Sequence, residues 1–218
     1  MSAQTGALTR HPGWPARPGP LVVAGGSVRL RPVRWRDARA WSDIRVRDEA
    51  QLRPWEPSGS GSWEARHGVT SWPGLCSGLR AAARRGTLAP FAIEVDGRFA
   101  GQLTIGNVVR GALLSAWIGY WVATPQTGRG VATGALALGL DHCFGPMGLH
   151  RVEATVRPEN GPSRAVLGHV GFRQEGMLRR YLDVDGDWRD HELVAVVAED
   201  REETAAARLV REGRARWT

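Results

Sequence analysis

The sequence predicts a mixed α/β domain built on one layered sheet. Three observations carry that expectation. Asp96-Gly97 and Asp185-Gly186, the strongest short-range hairpin signals, each join two runs of alternating apolar residues. Between them, from Leu113 to Phe172, apolar patterning switches between periods of two and of 3.6, as in strand-helix-strand-helix order. No internal repeat or long apolar segment competes with this layout, and 218 residues suffice for one substantial core.

In chain order, residues 1 to 24, with Pro12, Pro15, Pro18 and Pro20, read as a flexible Pro/Arg-rich arm. A main domain over 25–200 follows. Ser27 to Val33 alternates as a strand, and Trp35 to Asp48 sets Trp35, Ala38, Trp41 and Arg45 at helical spacing. Leu52 to Trp63 reads as a loop, and Trp63 to Arg85 as a second helix interrupted at Pro73-Gly74. The hairpin from Pro90 precedes a strand over Leu113–Val122, a helix over Gly130–Phe144, a strand over "HRVEATVRP", and a helix with Pro162 in its first turn. Two final strands flank Asp185-Gly186, and a charged tail over 201–218 reads as helical.

Composition narrows the function. Hydrophobic content is 42%, no apolar run is long enough to span a bilayer, and no secretory signal pattern stands at the N terminus, so a soluble cytoplasmic protein is expected. Cys76 and Cys143 lack metal-ligand spacing and read as reduced thiols. The net charge is +7, and all 29 basic residues are arginine. These arginines are scattered among Asp and Glu instead of forming blocks interleaved with aromatics, which argues against direct nucleic-acid binding. No metal-ligand set is found, and His150 and His169 read as structural.

The turn in "YWVATPQTGRGVATGALALGLDH" asks for a phosphate. Gly-x-Gly-x-x-Gly fails, because Thr133 stands at the third glycine position, and a Walker loop is excluded in a chain without lysine. What remains is a backbone cradle at a helix N terminus, with Arg129 adding charge; a ligand-free tight turn is the alternative.

"TGRGVA" (Thr127 to Ala132) resembles the acyl-coenzyme A pyrophosphate loop of the GNAT superfamily of N-acetyltransferases, with Thr127 in place of the usual Gln or Arg. "LRPWEP", "IGYWV", "RVEATVRPENGPSRAVLGHVGF" and "EGMLRRYLDVDGDWRDHEL" extend the likeness over residues 27 to 198 and are similar to the RimJ/RimL branch. The resemblance implies one mixed, mostly antiparallel sheet flanked by helices, splayed at its central strands to admit the pantetheine arm. It implies acetyl-CoA as cofactor and transfer to a primary amine by direct attack, the acceptor being a protein N terminus, ribosomal proteins among them. Same-fold or non-catalytic alternatives are a small-amine or aminoglycoside acetyltransferase and an acyl-CoA-binding regulator. The chain is expected to be a monomer or homodimer.

The implied cofactor contacts are Tyr120, Trp121, Val122, Ala123, Thr127, Gly128, Arg129, Gly130, Val131, Ala132, Thr133, Asn160 and Ser163, with amides near Val122 and Ala123 polarising the carbonyl. RimI-type enzymes place a proton-donating Tyr where this chain has Leu167, so Ser163 becomes the donor to the thiolate, against the plain reading that it caps its helix. The Glu that the RimL-like branch carries is Leu182 here. Strand parity puts Glu153, Thr155 and Arg157 on one face, making Glu153 the candidate to order the water that takes the amine proton, with Glu175 its rival. Trp55, Glu56 and Tyr181 are expected on the acceptor side. An α-amine of pKa about 7.7 to 8.0 costs about 1.2 kcal/mol to deprotonate near pH 7, against about 4.6 for a lysine, so a weak base suffices for an N terminus.

Overall fold

The computed structural model describes residues 13–218. Strands β1 (Leu21–Val23) and β2 (Gly26–Pro32) form a hairpin, and a 3-10 turn (Trp35–Asp37) leads to helices α1 (Ala38–Arg47), α2 (Glu49–Leu52), α3 (Trp63–His67) and α4 (Trp72–Arg84). Strands β3 (Leu88–Val95), β4 (Arg98–Val109) and β5 (Ser115–Val122) precede α5 (Val131–Phe144), β6 (Arg151–Val156) and α6 (Gly161–His169). Strands β7 (Arg173–Val184) and β8 (Asp187–Val197), helix α7 (Ala205–Arg211) and β9 (Arg216–Trp217) complete the chain.

Among the described residues nine strands form one sheet in the order β7-β8-β6-β5-β4-β3-β2-β1-β9. Every neighbouring pair is antiparallel except β5 and β6, which α5 joins as a crossover. Both Asp-Gly pairs take positive φ at both residues (49° and 78°; 53° and 79°), the primed turn that matches strand twist.

One face of the sheet carries the main core. Leu30, Phe91, Leu103, Ile105 and Ile118 meet Leu136 and Leu140 of α5, which is buried almost all round because α6 and α7 close over its far side. The other face holds a smaller cluster, Val33, Trp41, Trp72, Cys76 and Ala92, under α1 and α4. That cover stops short of β6, β7 and β8, leaving Trp117 and Met177 exposed. Cys76 and Cys143 are both buried free thiols.

The largest departure from the sequence reading lies at the N terminus. Residues 1 to 12 of the expected arm fall outside the described residues, whereas 13 to 24 are packed rather than free. The Trp14 ring stands edge-on to Phe91 at 5.6 Å, His142 Nε2 donates to Gly13 O at 2.8 Å, and Leu30 N donates to Pro18 O at 3.0 Å. Leu21 and Val23 are core residues of β1. Prolines that suggested disorder here remove donors from a segment whose few apolar side chains find the core. The long helix expected over Trp63–Arg85 is two helices, and its break lies at Gly68–Ser71; Pro73 sits in the first turn of α4, where its missing N–H costs nothing. The expected loop over Leu52–Trp63 starts with the end of α2 and a 3-10 turn over Arg53–Trp55. In the tail, α7 packs on α5 and β9 pairs with β1.

A candidate acetyl-transfer site

Parallel pairing of β5 with β6 covers only Ser115–Trp117 against Arg151–Glu153. Beyond it the strands diverge, as right-handed twist accumulates and β6 ends before Pro158, which has no amide to pair. The gap opens a groove of about 1570 Å³ that passes from the α5–α6 side to the open face of the sheet. The described N-terminal hairpin, the loop before α5, α6, β7, β8 and the Leu52–Pro57 segment all contribute to its walls.

On the helix side the loop ends at Gly130, the N-cap of α5, with φ 77°; Gly128 has φ 69°. Both lie in the left-handed region that favours glycine. The Gly134 amide closes on Gly130 O at 2.8 Å, so the Val131, Ala132 and Thr133 amides precede the first helical bond and line the groove. Gly25 N donates to Arg129 O at 2.8 Å, so the β1–β2 hairpin pins the loop from behind. Thr127 turns its hydroxyl inward to Thr124 O at 2.7 Å, and Arg129 is exposed at the mouth.

Tyr120 enters from β5 and is half-buried against the core. Its hydroxyl lies 2.9 Å from Ser163 Oγ, and loss of solvent pushes its pKa up to about 12, with the Ser163 bond opposing. Ser163 does not cap its helix: Asn160 Oδ1 does so, accepting from Ser163 N at 3.1 Å. The serine hydroxyl is thereby left for Tyr120 and the groove. A tyrosine thus arrives beside Ser163 although Leu167 stands at the position where RimI-type enzymes carry one.

The two amides expected to polarise a carbonyl separate. Ala123 N is bound to Ala100 O at 2.8 Å and is not available, a correction that strand pairing imposes. Antiparallel alternation then turns the backbone groups of Val122 and Tyr120 away from β4 and into the gap. By the same alternation the Trp121 side chain faces the opposite side, where the Arg45 guanidinium lies 5.1 Å from its ring centroid.

On the open face Trp55 is partly exposed with Arg157 stacked over it at 5.3 Å, and Arg157 Nη1 donates to Pro54 O at 2.9 Å. The sequence suggested that Glu56 presents a carboxylate to an amine. Instead it is ion-paired with buried Arg45 and has Arg66 at 3.7 Å. His67 Nδ1 donates to Trp63 O at 2.9 Å, leaving Nε2 to accept from Arg45 Nη2 at 2.7 Å; burial, then Arg45, lower its pKa to about 4. Glu153 lines the groove, but Arg151 Nε holds it at 2.7 Å while the rest of that guanidinium clamps Glu175, its rival. Glu175 in consequence titrates below the usual carboxylate range. Tyr181 is half exposed, and its ring meets His191 at 5.7 Å. His191 was not singled out from sequence; the signal was the alternation in "DHELV", which sets it on the face of Leu193. Among the described residues no cluster of three or more potential metal ligands is present.

These features fit coenzyme A. A side chain at Gly130 would stand 3.3 Å from Val23 Cβ, so the turn takes a Cβ only with movement of Val23, and the α5 amides beside it are open to an anion. The family described as "Acetyltransferase (GNAT) domain" matches residues 27–173. The chain belongs to the GNAT acetyltransferase family. It is a GNAT enzyme of RimJ/RimL type that uses acetyl-CoA. Mycobacterium smegmatis RimJ, solved in complex with CoA-disulfide, is 66% identical and superposes with a TM-score of 0.95 over 95% of this chain and 100% of its own. The uS5-alanine N-acetyltransferase of Escherichia coli is 29% identical over 179 residues, 78% of this chain and 88% of that protein. A probable N-acetyltransferase of Bacillus subtilis, YjcK, is 38% identical over 108 residues, half of this chain and 60% of that protein. No helix among the described residues is long and apolar enough to cross a membrane.

Proposed function

We propose that this GNAT enzyme acetylates the N-terminal α-amine of a protein, a ribosomal protein being the favoured class. The observation that carries this reading is the open acceptor side of the groove, whose lining carboxylates, Glu56 and Glu153, are each already paired with an arginine of the chain. A polycation such as an aminoglycoside needs free carboxylates in a pocket, whereas an extended peptide needs aromatic walls and polar strand residues. Trp55, Trp117 and Tyr181, with Gln102 and Thr104 of β4, supply those. The names of the mycobacterial and Escherichia coli relatives support the same class.

In this reading the glycine turn and the α5 amides bind the pyrophosphate, and the open backbone of Tyr120 and Val122 aligns the pantetheine arm. Acetyl-CoA supplies an activated thioester. Val122 N–H polarises its carbonyl, and Ser163 Oγ, backed by the Tyr120 hydroxyl, holds the proton that the departing sulfur takes up. Ser163 and Asn160 border the cofactor arm, while Trp55 and Tyr181 flank the incoming peptide. Thiol release with a panel of N-terminal peptides, an N-blocked peptide carrying internal lysine, and an aminoglycoside tests the reading. Faster turnover of the free N-terminal peptides supports it; preference for the lysine peptide or the aminoglycoside refutes it, as does acetyl-CoA binding without turnover of any acceptor.

A further inference from the structure

Two carboxylates on the acceptor face, Glu153 and Glu56, are committed to arginines, yet the amine proton needs an acceptor. His191 on β8 has the geometry for that task. It is 4% exposed, and it lines the groove together with Leu193 two residues on. Glu192 between them points to the other side of the sheet, where it accepts from Arg164 of α6 at 2.9 Å, which fixes the parity of the strand.

The state of the ring follows from its neighbour. A carbonyl oxygen can only accept, so the 3.1 Å contact between His191 Nδ1 and Arg189 O makes Nδ1 the protonated nitrogen. Nε2 then carries the lone pair. Among the described residues nothing hydrogen-bonds to it, and it keeps solvent access on the side of the groove that His191 lines. Charged groups around the ring are Arg157 and Glu159 after β6 and Asp190 on β8, with the Tyr181 ring packed against it from β7. Arg157 is itself tied to Pro54 O and Glu159. Burial is the principal influence on the ring and holds its pKa below the ordinary 6.5, which keeps the imidazole neutral near pH 7.

We propose that His191 Nε2 is the general base of acetyl transfer, a catalytic residue that takes the proton of the attacking α-amine, directly or across one water. The new C–N bond forms as the C–S bond breaks; the amine proton passes to His191 and on to solvent, and the thiolate takes its proton from Ser163, which regains one from solvent by way of the Tyr120 hydroxyl. This inference rests on the N-terminal acetyltransferase reading above.

The test compares His191→Asn with Glu153→Gln and wild type. The Asn amide keeps a donor for Arg189 O but has no basic nitrogen. Expected for His191→Asn is a fall in kcat of about 10²-fold or more, with acetyl-CoA affinity within twofold and a cooperative melt. In wild type, log(kcat/KM) against pH should run at slope one through about pH 6.5 and steepen towards two only at lower pH, where His191, its pKa lowered by burial, protonates in addition to the amine; the variant should keep slope one throughout. The wild-type profile decides the matter even if the variant folds poorly. A wild-type slope of one throughout, a His191→Asn kcat within threefold of wild type, or a loss confined to Glu153→Gln overturns the proposal. A wild-type enzyme inactive on every N-terminal peptide overturns the parent reading and this inference with it, whereas an active wild type with an equally active His191→Asn overturns the inference alone.

Discussion

Replacing Gly130 separates the geometry of the turn proposed to hold the pyrophosphate from its electrostatics. Gly130→Ala puts a Cβ on a residue with φ 77°, at a cost of about 1–2 kcal/mol for the left-handed backbone, and sets that Cβ 3.3 Å from Val23 Cβ. Val23 lies on β1, whose hairpin holds the loop through Gly25 N and Arg129 O, so it gives way only by moving the support of the loop. For a domain of this size the strain corresponds to a drop in Tm of about 2–8 °C. Gly130→Asp carries similar strain, eased because a short polar side chain tolerates this conformation, and adds a negative charge. A carboxylate about 5 Å from one pyrophosphate charge, at an effective dielectric near 20, is repelled by about 3 kcal/mol, more than a hundredfold in Kd. Calorimetry with CoA and thermal melts on both variants form the assay. The Ala variant should weaken CoA moderately, and the Asp variant should weaken it at least about a hundredfold further at equal or higher Tm. Affinities of the two variants within threefold of each other would refute the placement of an anion at this turn.

Further expectations are equally concrete. Tyr120→Phe deletes the hydroxyl 2.9 Å from Ser163 Oγ and should lower kcat by about 5- to 30-fold with CoA affinity retained, as read in steady-state kinetics and calorimetry. Because that phenol titrates only at about 12, wild type should show no alkaline limb from it below about pH 11. Trp55→Ala, which removes a groove wall and the Arg157 stack, should raise the peptide KM about tenfold and leave the acetyl-CoA KM unchanged. Asp37→Ala breaks the bidentate 2.8 Å pair with buried Arg31 and frees the Arg34 amide, costing about 3 kcal/mol or more and lowering Tm by about 6–12 °C. His67, lowered from 6.5 to about 4 by burial and Arg45, binds a proton in the unfolded chain before the folded one, so stability falls as pH drops from 6.5 towards 4. His67→Gln should narrow the gap between melts at pH 7 and pH 5; an unchanged gap would contradict the assignment.

The order of the main elements from β3 to β8, both hairpin turns and the helix N terminus at Gly130 were legible in the sequence. Periodicity, Asp-Gly pairs and glycine at positive φ are local signals, and local sterics set them. Less legible were the segments whose structure comes from elsewhere in the chain. Residues 13 to 24 look disordered by composition, yet Trp14 and Leu21 are ordered by a core that belongs mostly to later strands. The loop reading near Leu52 failed for a related reason: α2 is a four-residue helix stabilised by what it packs against, not by its own length.

Site chemistry divides along the same line. The sequence by itself determined which backbone could cradle a pyrophosphate, and it excluded a Walker loop by lacking lysine. It also showed that Glu153 and Thr155 share a face. Only the tertiary structure decided that Tyr120, 43 positions before Ser163, supplies its hydroxyl partner, that Ala123 N is already bonded across the sheet, and that Glu56 and Glu153 are held by arginines. It also decided that His191 faces the groove with one nitrogen free. The physical reason is that turns and periodicities are fixed by neighbours along the chain, whereas the availability of a proton donor, an amide or a carboxylate depends on which distant group reaches it first.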